Sequence, residues 1–205
     1  MGTLVQLKNA ILAYPHLFEK HKAPGSETER YGAEFILDGV VNQDSCQAMH
    51  QAFIEVATAA GKGEQAKYLK SPLQSGDKIN ENRLASGKEI RPEIAGKYVV
   101  RAYDRTYSPQ VVSRDPRIAI TAEQKDQIFG GCVVNGLVDL YWTNTGSPGV
   151  YAGLRAIQLV DNVNVTPIGG GQVDAADIFE KLEGPDPLQA APTGGPSQDT
   201  APPWA

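Results

Sequence analysis

Residues 131–160, GCVVNGLVDLYWT-NTGSP-GVYAGLRAIQLV, decide the fold class. In the first arm Cys132, Val134, Val138, Leu140 and Trp142 fall on one side of an extended chain, and Asn135, Asp139 and Tyr141 on the other. Side chains alternate across a strand, so this pattern predicts a strand with one buried face. Asn144-Thr-Gly-Ser-Pro148 supplies the turn formers that close a hairpin with the second arm, 149–160.

Strand character extends outward from this pair. Residues 3–14 alternate, with Val5, Leu7 and Ile11 opposed to Gln6 and Lys8. Pro24, Gly25 and Ser26 predict a loop over 16–29. A strand follows at 30–37, with Tyr31, Ala33, Phe35 and Leu37 on one face and Arg30, Gly32 and Glu34 on the other. Cys46, Met49, Phe53, Val56, Ala57 and Ala60 then recur at helical spacing, with Asn42 or Asp44 placed to cap the start and Gly61 to end the helix. Residues 62–95 keep no period and predict a long basic insertion that orders when something binds. Strand character returns at 96–105. Five or so strands with one amphipathic helix make the chain mainly β, an antiparallel barrel or sandwich.

The charge is unevenly placed. The whole net charge of −5 resides in residues 174–205, which hold six acids and one base, while 1–173 is neutral. Within that body, 62–117 carries 12 bases and seven acids, with Tyr68, Tyr98, Tyr103 and Tyr107 among them. Residues 174–182 predict a short acidic helix. From residue 183 onward six prolines and four glycines or serines occur in 23 residues, a composition that cannot bury a core. The expected organisation is one domain, 1–182, and a disordered acidic tail, 183–205. A basic, tyrosine-bearing region followed by an acidic tail suits a protein that grips a polyanion and releases it. Cys46 and Cys132 lack a C-x-x-C partner, and no apolar run approaches the ~20 residues of a membrane span. A reduced, cytoplasmic protein with no membrane association is expected; a homodimer stays open.

The strand at 96–105 carries the chemistry. Alternation places Lys97, Val99, Arg101, Tyr103 and Arg105 on one face, with Tyr107 just beyond. Cations neutralise phosphates and flat rings accept unstacked bases, the two requirements of single-stranded nucleic acid. Lys67, Lys70, Lys78, Arg83, Lys88 and Arg91 extend the basic region. The plainer alternative is a solvated sheet face, which the acidic tail argues against. The three histidines have no partners at zinc spacing, and no cofactor or metal is expected. Gly169-Gly-Gly171 lacks the lysine and serine or threonine of a phosphate loop, so it reads as a hinge. Glu89, Glu93, Asp104 and Asp115 lie in the basic region as the carboxylates a metal-dependent nuclease would use, and each has a base nearby to pair with.

The order of landmarks resembles a family of tailed-phage single-stranded DNA-binding proteins. The resemblance rests on Leu7-Lys-Asn-Ala-Ile-Leu-Ala-Tyr-Pro-His-Leu-Phe18, Tyr31-Gly-Ala-Glu-Phe35, Ser75-Gly-Asp-Lys78, Ile128-Phe-Gly-Gly-Cys-Val-Val-Asn135, Gly149-Val-Tyr-Ala-Gly-Leu-Arg-Ala-Ile-Gln158 and Asp177-Ile-Phe179. It covers roughly residues 3–182. At 75–77 the chain has Ser-Gly-Asp where the family pattern has Asp-Gly-Asp. The resemblance implies an OB-fold, binding of single-stranded DNA without strong sequence preference, and a role in phage replication or recombination. The tail resembles, more loosely, those of bacterial single-stranded DNA-binding proteins, with Asp199, Pro203 and Trp204 near its end as the residues for docking replication or recombination proteins. The expected function is therefore non-enzymatic coating of single strands through Lys67, Lys78, Arg91, Lys97, Arg101, Tyr103, Arg105 and Tyr107. A metal-dependent nuclease of phage DNA metabolism and a non-enzymatic virion or assembly barrel are the alternatives.

Overall fold

A computed structural model describes residues 2–22 and 27–169. The acidic helix expected at 174–182 and the tail residues Asp199, Pro203 and Trp204 lie outside the described residues. Seven strands occur among the described residues: β1 (Thr3–Lys22), β2 (Glu29–Leu37), β3 (Leu73–Ser75), β4 (Tyr98–Asp104), β5 (Gln110–Val112), β6 (Val133–Thr143) and β7 (Gly149–Asp161). Helix α1 (Gln43–Ala59) follows β2, and α2 (Gly76–Ala85) follows β3. Five strands run in the order β1-β2-β4-β7-β6 and close back onto β1. The β4–β7 closure is parallel, at Ala102 opposite Ala152, and the other neighbours in the ring are antiparallel. This closed five-stranded barrel is the OB-fold that the resemblance implied. The short strands β3 and β5 add to β4 and β7.

Alternation does what the sequence predicts in the hairpin β6–β7. Cys132, Val134, Val138 and Leu140 are buried, and Val150, Leu154 and Ile157 meet them from β7. Leu12, Phe35, Leu37 and Val100 complete the interior, and α1 seals it with Met49, Ala52, Phe53 and Val56. The end of α1 is closed by Gly61, at φ +69°, whose N–H donates to Thr58 while the N–H of Lys62 donates to Ala57. Asn42 begins the helix without capping it. Its amide instead donates to the carbonyls of Lys8 and Asn9, and Ser45 accepts the Lys8 N–H. Those groups lie where the register of β1 shifts between Leu7 and Ala10. The start of α1 therefore satisfies backbone that a bulge removed from the sheet.

Gly136 fixes one side of the core. A Cβ there would stand 2.6 Å from the ring of Phe35, a fully buried side chain with no room to withdraw. Gly136→Ala is expected to cost about 1–3 kcal/mol through overpacking. Urea unfolding should show a lower midpoint with an unchanged slope. A midpoint equal to the parent's would mean that Phe35 does not pack where the structure places it.

Two expectations are corrected. The loop expected over 16–29 is largely strand, because β1 continues to Lys22 and pairs with β2 as far as Lys22 opposite Glu29. Register shifts between Ala13 and His16, and again between His16 and His21, erase the alternation that would have revealed it. The segment 62–95, expected to lack structure of its own, contains a 3₁₀ turn at Gly63–Tyr68, β3, α2 and a second 3₁₀ turn at Pro92–Ile94. Helix α2 has little apolar stripe: Ile79 is buried and Leu84 is exposed. Polar locks hold it instead. Ser75 accepts from the Lys78 N–H, Asp77 accepts from the Gly96 N–H, and Asn80 both donates to and accepts from the backbone of Arg91. Gly76 admits the Ile94 carbonyl to 1.9 Å from where a Cβ would stand, so no other residue fits. The Ser75-Gly-Asp-Lys78 landmark is thus a helix start clamped to the next turn.

Candidate nucleic-acid interface

The outer face of β1, β2 and β4 is divided into a covered end and an open end. At the covered end Ile79 and Ile94 pack on Ala13, Ile36 and Val99, forming a small second core outside the barrel. At the open end the register sets Arg101 opposite Glu34 and Tyr103 opposite Gly32. The alternation read from sequence therefore holds across β4: Val99, Arg101 and Tyr103 point outward, while Val100 and Ala102 enter the core.

Between the two ends runs a charged wall. Glu34 accepts from Arg91 at 2.6 Å and from Arg101 at 2.7 Å, and Arg91 also donates to Glu93 at 2.8 Å. The Tyr14 hydroxyl donates to Glu93 at 3.3 Å, and the Arg91 guanidinium lies 4.5 Å from the Tyr14 ring centroid. Two arginines and two glutamates make this cluster formally neutral. Burial opposes the charged form of Glu93, yet the hydrogen bond from Arg91, a backbone hydrogen bond, the Arg91 charge and the Tyr14 hydroxyl together outweigh it and hold the carboxyl below its usual range. Arg91, expected to meet a phosphate, is buried, and its charge is engaged by Glu34 and Glu93 inside the wall. Arg101 remains about one-third exposed, at 36%, and keeps a donating edge toward solvent.

Tyr103 is packed from both sides. A Cβ on Gly32 would stand 2.3 Å from its ring, so Gly32 provides the floor. The Arg30 guanidinium lies 3.7 Å from the ring centroid and forms the upper layer. A guanidinium stacked on a phenol is itself a flat cationic platform, a surface on which unpaired bases stack. Burial first, then the nearby Glu34, raises the Tyr103 phenol above its ordinary value and keeps it uncharged.

The other expected residues are distributed around this centre. Lys97 immediately precedes β4 and is half-buried; its carbonyl accepts the Gly76 N–H. Arg105 and Tyr107 lie beyond the end of β4, exposed, in a turn that Asp104 holds by accepting the N–H groups of Thr106 and Tyr107. Lys78 is exposed on the first turn of α2, and Lys67 on the 3₁₀ turn that packs against α1, its ammonium 4.9 Å from the Tyr68 ring centroid. Arg30 was not among the expected contacts. Its place on the same strand face as Gly32 and Glu34 is legible, but its stacking on Tyr103 depends on cross-strand register.

Three of the four carboxylates of a nuclease reading are engaged in ion pairs. Glu93 pairs with Arg91, Asp115 with Arg117, and Asp104 with Arg155, which also bridges to Asp139. Among the described residues no group of three or more His, Cys, Asp or Glu side chains is placed to hold a metal ion. Cys46 and Cys132 are both free thiols, and no described helix is long and apolar enough to cross a membrane.

Comparison with known proteins gives a consistent result. A family model described as the ssDNA-binding protein of Enterobacter phage Enc34 matches residues 3–188. A putative protein p50 of Acyrthosiphon pisum secondary endosymbiont phage 1 is 24% identical over 181 residues, covering 87% of this chain and 93% of that one. The phage Enc34 single-stranded DNA-binding protein solved with ssDNA superposes with a TM-score of 0.65 at 18% identity, over 81% of this chain and 89% of that chain. The same phage protein solved alone gives 0.63 at 19% identity, over 86% and 90%.

Proposed function

This chain belongs to the family of the Enterobacter phage Enc34 ssDNA-binding protein, and from that membership we propose that it binds single-stranded DNA through the open end of the β1–β2–β4 face. The observation that carries the reading is the Arg30–Tyr103 stack beside the partly exposed Arg101. It joins a base platform to phosphate-neutralising charge on one rigid sheet. Lys97, Arg105, Tyr107, Lys78 and Lys67 would extend the contact along the backbone of the strand. The protein would coat and protect transient single strands without strong sequence preference, during phage replication or recombination, in the host cytoplasm and without catalysis.

The acidic segment 183–205, with three acids and no base, would compete weakly with DNA for the same cations and present Asp199, Pro203 and Trp204 to a replication or recombination protein. Competition between labelled oligothymidylate and unlabelled single strand or duplex tests the reading. Single strand should displace the label at far lower concentration than duplex of equal length, since paired bases cannot stack. Truncation at residue 182 should tighten binding modestly at low salt, with the gain fading as salt screens the tail. Equal competition by duplex contradicts the base platform. Unchanged or weakened binding after truncation contradicts the competing tail.

A further inference from the structure

At the open end of the outer face, β1 sets two histidines across from the Arg30–Tyr103 stack. The register pairs His16 with Gly32 and His21 with Arg30, and on the other side of β2 it pairs Gly32 with Tyr103. The row His16–Gly32–Tyr103 thus has a ring at each end, and the Tyr103 ring leans over the glycine in the middle. The His16 and His21 rings stack on each other, with centroids 4.0 Å apart and planes within 7°. Register shifts on either side of His16 are what bring residues five apart in sequence onto one face. Leu17, between them, is buried in the barrel core and anchors the arm, while His16 is half-buried and His21 exposed. The barrel interior is complete without either imidazole.

We propose that the His16–His21 stack is a second wall of the single-strand site, facing the Arg30–Tyr103 stack across Gly32, and that its imidazoles take up protons when the strand's phosphates lie beside them. The proposal rests on the single-strand reading above. A nucleobase stacked on the outer layer of the Arg30–Tyr103 platform then has the imidazoles beside it, and a phosphate leaving it passes their edges.

The charged and titratable groups around the pair allow this. Arg30 stands opposite His21, and Tyr103 lies beyond Gly32. Lys22 and Glu29 form the next pair, Lys20 lies over Tyr31, and Glu19 is exposed. Burial first, and then His21, hold His16 below the ordinary imidazole range. DNA phosphate favours the protonated form. By linkage, affinity must rise as pH falls through the imidazole range and level off above it.

The test is fluorescence anisotropy of labelled oligothymidylate at about pH 8 and about pH 5.5, values that bracket imidazole titration while leaving thymine unchanged. The full chain is compared with a His16→Phe/His21→Phe pair and a His16→Ala/His21→Ala pair, each checked for thermal unfolding. The parent should tighten by about three-fold or more on acidification. The Phe pair should lose the acid gain while binding more tightly than the Ala pair at the higher pH, because it stacks but does not protonate. The Ala pair should bind about five-fold or more weakly at both. If a double variant does not fold, His21→Phe and His21→Ala, at an exposed position, carry the same comparison. Parent affinity and parent pH response in these variants, with Tyr103→Ala still weakened, overturn the second wall and leave the single-strand reading standing. Absence of single-strand binding by the parent overturns both.

Discussion

Glu34→Ala lowers the free energy of unfolding by about 3–5 kcal/mol, the cost of removing one partner from a buried ion pair. The Glu34 side chain is 12% exposed and holds Arg91, 9% exposed, together with Arg101. Without it Arg91 keeps Glu93 but loses its shortest hydrogen bond, and one Arg91 terminal nitrogen already lacks a partner. A buried guanidinium short of acceptors has no water to turn to, so the penalty exceeds that of any exposed pair on the surface. For a domain with about 5–15 kcal/mol of total stability this is a large fraction. Urea unfolding measures it as a fall in midpoint. A loss below about 1 kcal/mol would mean that the wall is a surface pair, of the kind whose median worth is near zero.

Tyr103→Ala weakens single-strand binding by about 1–3 kcal/mol and leaves the salt dependence nearly unchanged, as loss of a stacking residue does. Arg30→Ala does both. It removes the upper layer of the same platform and one cation, so log Kd against log salt should flatten by about 0.7 as well. Arg101→Ala changes mainly the slope. Arg91 provides the contrast: with its guanidinium inside the wall, Arg91→Met should alter stability and leave the slope alone. A Tyr103→Ala protein that is folded and binds as tightly as the parent would reduce the stack to sheet packing. The interface would then lie elsewhere on the barrel.

Where one residue's neighbours in sequence are also its determinants in space, the sequence was readable. The β6–β7 hairpin, the α1 stripe from Cys46 to Ala60 and the outward set Val99, Arg101 and Tyr103 all follow from a period of two or of 3.6. Helix α2 was not legible, since Asn80, Asp77 and Gly76 act through the backbones of Arg91, Gly96 and Ile94. Nor was the second half of β1, whose two register shifts break its alternation. The same limit shaped the site. Arg91 reads as one more cation of a basic stretch, and only the fold brings Glu34 beneath it from a strand 57 residues away. Arg30 reads as an ordinary strand-end charge until β2 pairs with β4 and sets it over Tyr103. Periodicity reports which face a side chain occupies. It does not report which partner waits on that face.

Ultraviolet cross-linking of oligothymidylate to the full chain, followed by peptide mass spectrometry, locates the strand on the protein without relying on a substitution. Adducts should concentrate on the peptides carrying Tyr103 and Tyr107, with a second set on the β1–β2 arm carrying His16, His21 and Arg30. Raising the salt should diminish both together. Adducts confined to α1, or to the Tyr141 and Tyr151 pair of β6 and β7 with none on Tyr103, Tyr107 or the β1–β2 arm, would contradict a single-strand interface at the open end of the β1–β2–β4 face.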